Sequence, residues 1–299
     1  MLQKFNPRNA NILVYIDKEL IPREQAKISV FDSSVQGGDA VWEGIRVYKE
    51  GIFSLDQHLE RLENSAKALA FEGVPKRETI RQAIFNTLEA NNMQKDTHIR
   101  LTLTRGEKLT SGMDPRLNIK GCCLIVLAEC KPPVYDNVEG IRVITSAIRR
   151  NSPQMLDSKI HHNNLLNNIL AKIQANVAGV DAAIMLDNQG FVSELNDTNI
   201  FMVNKGVLHT PSADSCLPGI TRSIVINVAK TSDVNVVERN IPLTECYTAD
   251  EVFATGTMGE LTPIIEIDGR KIKNGGEILA LLQSRFMKIV AESCEKLPF

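Results

Sequence analysis

Residues Gly38–Leu69 read GDAVWEGIRVYKEGIFSLDQHLERLENSAKAL, and the spacing of apolar side chains changes partway along them. Ile45–Tyr48 and Ile52–Leu55 flank Lys49-Glu50-Gly51, which predicts a hairpin with Gly51 where the turn needs a positive φ. From Ser54 the step becomes three and four. Leu55, Leu59, Leu62, Ala66 and Leu69 then fall on one stripe of a helix. Upstream, Ile12–Ile16 predicts a strand. Downstream, Pro75 precedes a second helix carrying Ile80, Ile84 and Leu88, His98–Thr104 alternates as a strand, and Gly121–Leu127 is a fully apolar one.

Lys131–Gly140, KPPVYDNVEG, holds two prolines and no periodicity, and predicts a linker between a domain at residues 1–130 and one at residues 141–299. Beyond it the pattern predicts strands at Ile141–Thr145, Ala182–Leu186 and Phe191–Glu194, the last two joined by a DNQG turn. A helix is expected over Asn164–Asn176. Asn199–Val203 pairs with Val207–Thr210 across Asn204-Lys205-Gly206, a helix follows Pro218-Gly219, and strands are expected at Val234–Val237 and Glu251–Ala254. Pro263–Ile267 turns through Asp268-Gly269 into Lys271-Ile272, and a last helix fills Glu277–Ala291. Hairpins dominate, so the expected class is α+β rather than a βαβ alternation.

The 299 residues carry a formal net charge of −2, with acids and bases interspersed. That balance excludes the basic footprint of a nucleic-acid binder and a membrane-surface patch. The N-terminus MLQKFNPRNA lacks a signal-peptide core, and no stretch approaches the apolar length of a membrane span. The six cysteines show no metal-ligand spacing, and Cys122 and Cys123 sit inside an apolar run. A cytoplasmic protein with reduced thiols is expected.

Several positions carry possible chemistry. Lys159, in LDSKIHHNNLLNNILAK at Leu156–Lys172, is either a surface charge or a nucleophile toward an aldehyde, a role lysine suits because its pKa falls readily on desolvation. His58, Arg61 and Ser65 share one helical face, which presents a guanidinium either to water or to a phosphate. Pro218–Arg222, PGITR, opens a helix whose first N–H groups suit an anion, with the Thr221 hydroxyl beside them. Thr255–Gly259, TGTMG, empties from a strand into small and hydroxyl residues. Glu194 is either a hairpin charge or a buried partner for a heterocyclic nitrogen. His161-His162 are adjacent, so their side chains diverge and a metal site is not expected.

In order and spacing these stretches resemble the fold-type IV aminotransferases that use pyridoxal 5′-phosphate, the group of branched-chain and D-amino acid aminotransferases. The likeness is carried by GDAVWEGIRVY at Gly38–Tyr48, FSLDQHLERLENSAKAL at Phe53–Leu69, SKIHHNNLLNNILAK at Ser158–Lys172, GFVSELNDTNIF at Gly190–Phe201, LPGITR at Leu217–Arg222 and DEVFATGTMGELTPI at Asp250–Ile264. The resemblance implies a small N-terminal α/β domain, a larger C-terminal domain on a β-barrel-like sheet, and a homodimer or higher homo-oligomer. It implies that Lys159 binds the cofactor's aldehyde and shuttles a proton, and that Glu194 keeps the pyridine nitrogen protonated. Arg61, the Ile220 and Thr221 amides, the Thr221 hydroxyl and Thr257 would hold the phosphate. Thr257 and Met258 would meet the substrate carboxylate.

The pattern departs from the family at the substrate side. Branched-chain members place a tyrosine where this chain has Asn164, whose amide would face the cofactor's phenolic oxygen, and another where it has Gly37. D-amino acid members place one where it has Val35. Arg100 matches the arginine of branched-chain enzymes and Arg105 the TRG arginine of D-amino acid enzymes. On a regular strand these two point to opposite faces, so one of them is expected to reach substrate. The expected reaction is transfer of an amino group from leucine, isoleucine or valine to 2-oxoglutarate in two half-reactions. D-amino acid transamination and aminodeoxychorismate lyase activity are the alternatives, and a scaffold that merely binds an anion or a partner is the non-enzymatic one.

Overall fold

The computed structural model describes residues 4–299. Its residues form two compact units, one of residues 4–132, 160–164 and 290–299, the other of residues 133–159 and 165–289.

The N-terminal unit runs β1 (Leu13–Ile16), β2 (Glu19–Pro22), α1 (Ser33–Gly37), β3 (Ala40–Tyr48), β4 (Gly51–Ile52), α2 (Leu55–Ala68), α3 (Arg77–Ala90), β5 (Thr97–Thr104) and β6 (Cys123–Cys130). The strands form one antiparallel sheet in the order β2-β1-β6-β5-β3-β4. β3 pairs with β5 from Ala40↔Thr104 to Val47↔Thr97. Strand periodicity sends Val41, Glu43, Ile45 and Val47 to one face. Val41, Ile45 and Val47 join Leu59, Leu62, Ala66, Ile80, Ile84 and Leu88 of the two long helices in one core. Each buried leucine or isoleucine there contributes about 1.5–3 kcal/mol.

The expected hairpin is present, and Gly51 has φ +130°. Glycine is required there for a second reason. Residue 295 runs alongside, its carbonyl accepting from the Ile52 N–H at 2.9 Å, and a Cβ at position 51 would lie 2.1 Å from that oxygen. Two short elements escape the periodicity reading. β2 is a mostly exposed edge strand ending in proline. α1 spans five residues and is defined by its caps, an Asp32 side chain accepting from the Ser34 N–H and Gly38 at φ +66°.

The C-terminal unit contains β7 (Ile141–Thr145), α4 (Leu166–Val177), β8 (Ala182–Leu186), β9 (Val192–Leu195), β10 (Asn199–Asn204), β11 (Val207–Thr210), α5 (Ile220–Thr231), β12 (Val236–Glu238), α6 (Leu243–Tyr247), β13 (Glu251–Gly256), β14 (Glu260–Ile267), β15 (Arg270–Lys271) and the start of α7 (Glu277–Ser293). The sheet order is β12-β11-β10-β13-β14-β7-β8-β9, with β15 paired to β14. Only residues 196–198 join β9, at one edge, to β10 in the interior, so the sheet must curl into a half-barrel. Two parallel crossovers, β7-α4-β8 and β11-α5-β12, interrupt the hairpins expected to dominate, and β7 also pairs in parallel with β14. Among the described residues no helix is long and apolar enough to cross a membrane.

Gly51→Ala should destabilise the N-terminal unit by about 1–3 kcal/mol from its positive φ alone, with the clash at the residue 295 carbonyl added. A urea unfolding curve matching wild type would refute both costs.

Candidate active site

In the C-terminal unit the residues of interest gather around a carboxylate held out of water. Glu194 is 5% exposed and lies on β9 opposite Met185 of β8. Burial, the largest influence, pushes its pKa up, while Arg150 pulls it back and the Leu217 backbone N–H supports the charge. The Arg150 Nε donates to Glu194 Oε1, and the Asn199 Nδ2 donates to Oε2 at 3.2 Å. Arg150 is itself 5% exposed, and its Nη1 is buried without a hydrogen-bond partner. Such an orphan costs about 1–3 kcal/mol.

Asn199 couples this carboxylate to the mouth of α5. Its Nδ2 also donates to the Leu217 carbonyl at 2.9 Å, and a Cβ at Gly219 would fall 2.1 Å from its Oδ1. Glycine at 219 therefore protects the Asn199 contact to Glu194. Gly219 caps α5 without a side-chain acceptor, and the first turn holds no acid. The leading N–H groups, including those of Ile220 and Thr221, have no intrahelical carbonyl to meet, which makes the helix end an anion cradle. Thr221 is buried beside them. Arg222 anchors the turn by donating to the Pro211 carbonyl at 2.8 Å and to Glu238 at 2.7 Å.

Thr257 and Met258 occupy the turn after β13, and both are half-buried. The Met258 carbonyl accepts from the Val134 N–H at 2.9 Å. A Cβ at Gly256 would meet Thr198 at 2.8 Å, and one at Gly259 would meet the Tyr135 ring at 3.2 Å. Tyr135, from the stretch expected to be a linker, is buried and donates its hydroxyl to the Asp197 carboxylate at 2.7–2.9 Å. The turn is thus fixed from two sides.

Lys159 is exposed, with its Nζ 3.8 Å from Asp157, a loose pairing that leaves the amine accessible. One buried thiol ties these groups together. Burial pushes Cys216 up to about 12, Glu194 adds to this, and Arg222, Arg150 and Lys159 oppose it.

The N-terminal unit holds the remaining predicted residues. Arg61 makes a two-point contact with Glu43, Nε to Oε1 at 2.8 Å and Nη2 to Oε2 at 2.7 Å. Glu43 is fully buried and also meets the Nδ1 atoms of His58 at 2.7 Å and His161 at 3.0 Å. Burial alone would raise its pKa, but His161 and Arg61 hold the carboxyl well below the usual range. Burial pushes His161 down to about 4 and His58 down as well, so both rings are neutral and their Nδ1–H groups face the carboxylate. Sequence reading passed over Glu43. Its signal was a charged residue on the inward face of an otherwise apolar strand.

Arg100 lies on β5 with its guanidinium 3.4 Å from the centre of the Trp42 ring, and donates to Asn163 at 3.1 Å. Burial lowers its pKa to about 10. Trp42 also sits 4.1 Å from the His161 ring. Arg105 is held by neighbouring groups of the protein. It lies beyond the end of β5, so strand alternation does not govern it, and it binds both Asp39 oxygens at 2.6 and 3.2 Å. It also donates to the carbonyls of Leu69 at 2.7 Å and Ala70 at 3.0 Å, and stacks over Phe71. Most of its N–H groups are thus engaged within the protein. The Asn164 amide donates to the Gly37 carbonyl at 3.4 Å.

Among known proteins, the family model for class IV amino-transferases matches residues 40–267. The chain is 59% identical over 294 residues to branched-chain-amino-acid aminotransferase-like protein 2 of Arabidopsis thaliana, covering 98% of this chain and 53% of that protein. It thus spans about half the length of the Arabidopsis relatives it matches. It is 32% identical over 295 residues to the branched-chain-amino-acid aminotransferase of Pseudomonas aeruginosa, covering 95% and 94% of the two chains. It is also 32% identical over 296 residues to the D-alanine aminotransferase of Listeria innocua, covering 96% and 99%. Among solved structures, the branched-chain aminotransferase of Thermoproteus uzoniensis with norvaline superposes with TM-score 0.86 at 34% identity, covering 95% and 96%. That of Thermobaculum terrenum in its PLP-form does so with TM-score 0.84 at 27% identity, covering 95% of each.

The Glu43 cluster sets a sign for pH dependence. Both histidines are depressed from 6.5, so their contribution is complete above 6.5 and is lost as pH falls below it, for His161 toward about 4. Glu43 is depressed from 4.5, so its contribution is lost below that. Melting temperature should therefore fall on acidification in two stages, and His161→Asn should flatten the first. Glu43→Ala, which takes a buried carboxylate away from Arg61, His58 and His161, should cost about 3–5 kcal/mol. A melting temperature flat from neutrality down to 4.5 would refute the neutral-histidine assignment.

Proposed function

The chain belongs to the class IV aminotransferases, which use pyridoxal phosphate, and on that premise we propose that it transfers the amino group of a branched-chain L-amino acid to 2-oxoglutarate by a ping-pong mechanism. The observation that carries this reading is the buried carboxylate Glu194, held by Arg150 and by Asn199, whose amide continues to the Leu217 carbonyl at the mouth of α5.

The donor set fits the cofactor. Glu194 accepts from Arg150 and Asn199 and keeps lone-pair capacity for a ring N–H. The α5 N-terminus offers N–H groups and the Thr221 hydroxyl with no competing acid. When bound, pyridoxal phosphate supplies an electron sink that makes the proton on a substrate's α-carbon removable. Lys159 would hold the aldehyde covalently and then, as a free amine, move the α-proton. Glu194 would accept the ring N–H. Ile220 and Thr221 through their amides, Thr221 through its hydroxyl, Thr257 and Arg61 would bind the phosphate, and Asn164 would donate to the ring's phenolic oxygen. The Thr257 and Met258 amides would orient the substrate carboxylate, and Arg100 would meet a carboxylate on the acceptor.

D-amino acid transamination is the second reading, supported by the likeness to the D-alanine enzyme of Listeria innocua. Arg105 weighs against it, because most of its N–H groups are engaged within the protein. We place the protein in the cytoplasm, consistent with six free cysteines. We also propose a homodimer. Leu166, Ile169, Leu170, Ile173 and Val177 form an exposed apolar stripe on α4, while Ala171 and Ala175 pack inward on β8. Such a contiguous stripe suits burial against a second copy.

Wild type incubated with pyridoxal phosphate should turn yellow, and Lys159→Ala should stay colourless with turnover reduced by more than about a hundredfold. L-Leucine with 2-oxoglutarate should yield L-glutamate by chiral analysis. D-Glutamate from D-alanine would favour the second reading, pyruvate released from aminodeoxychorismate without an acceptor would indicate the lyase, and a colourless wild type would end all three.

Ile169→Glu combined with Ile173→Glu should halve the mass measured by light scattering while the far-ultraviolet dichroism is kept. An unchanged mass would remove α4 from the interface.

A further inference from the structure

Arg150 is a charged side chain buried beside a buried carboxylate. Its backbone N–H donates to the Leu186 carbonyl at 2.9 Å, which seats it at the end of β8, and its side chain is as buried as the carboxylate it meets. Nε is satisfied by Glu194, yet Nη1 has no partner. A buried ion pair exchanged for packed hydrocarbon is often neutral or stabilising, so stability alone gives no reason for this one. The other donors to Glu194, the Asn199 amide and the Leu217 N–H, are neutral. The remaining charges near it are Asp197, which opposes its ionisation, and Arg222 and Lys159, which share the surroundings of Cys216.

We propose that Arg150 is a positioning residue that decides which side of the contact between Glu194 and the cofactor's ring nitrogen carries the proton. This rests on the pyridoxal-phosphate reading above. With the guanidinium in place Glu194 stays a carboxylate and accepts a hydrogen bond from a protonated ring nitrogen. Without it, burial and Asp197 dominate. The proton then leaves the ring nitrogen for a carboxylate oxygen, one N–H bond breaks as one O–H bond forms, and the ring loses the positive charge that makes it an electron sink. The phosphate and aldehyde contacts would be untouched, so the cofactor would still bind.

The test is nitrogen NMR of full-length protein loaded with pyridoxal 5′-phosphate isotopically labelled at the ring nitrogen, comparing wild type, Arg150→Met, Arg150→Gln and Arg150→Lys. Wild type should resonate where a protonated pyridinium does. R150M and R150Q should bind cofactor but shift to the position of an unprotonated pyridine, and R150K should return most of the way to wild type. R150Q keeps a polar partner for Glu194 and serves if R150M does not fold. A wild-type position in the loaded neutral variants would overturn the proposal, as would an unprotonated ring in wild type. A wild type that takes up no cofactor would overturn the functional reading itself, a result the spectra separate at once.

Discussion

A carboxylate taken out of water must be met by donors that cannot move away, and each unit of this protein is organised around one such group. In the N-terminal unit Glu43 sits on the inward face of β3 and binds Arg61, His58 and His161. In the C-terminal unit Glu194 binds Arg150 and Asn199, and Asn199 continues to the mouth of α5. Apolar packing around these groups makes the folds possible, but it has no direction. The carboxylates supply direction, because each fixes the angle at which a neighbouring cation or helix end is presented.

The two centres differ in what they leave available. Glu43 is saturated by two neutral imidazoles and a guanidinium, so its charge is spent inside the protein and Arg61 is delivered as half of an ion pair. Glu194 retains acceptor capacity and stands beside an uncapped helix end. The first arrangement holds a cation still. The second leaves an acceptor and a set of N–H groups arranged for a ligand bearing a ring N–H and an anionic tail.

Much of this was legible in the sequence because it is local. The switch from alternation to a helical step after Ser54 locates β3, β4 and α2, and the Asn204-Lys205-Gly206 turn locates the β10–β11 hairpin, observed as Val203↔Leu208 and Asn204↔Val207. The motif residues around Lys159, Glu194 and Thr221 were found through resemblance to a family. The pairings that orient them were not. Glu43 meets His161 across 118 residues, and Arg150 meets Glu194 across 44. No periodicity reports a contact between distant segments, and an arginine in IRR looks like any surface charge. The bonds that Arg105 makes to Asp39 and to the Leu69 carbonyl are hidden from the sequence for the same reason.

Trp42 is the chain's single tryptophan, and it lies between the Arg100 guanidinium at 3.4 Å and the His161 ring at 4.1 Å. Its indole N–H donates to the His162 carbonyl at 3.1 Å, which ties it to the short segment that follows Lys159. All indole fluorescence of the protein therefore originates at one place, against a cation and an imidazole that both alter its emission. The molecule carries its own optical gauge, unlabelled and uncontaminated by signal from elsewhere, of whatever displaces Arg100 or that segment.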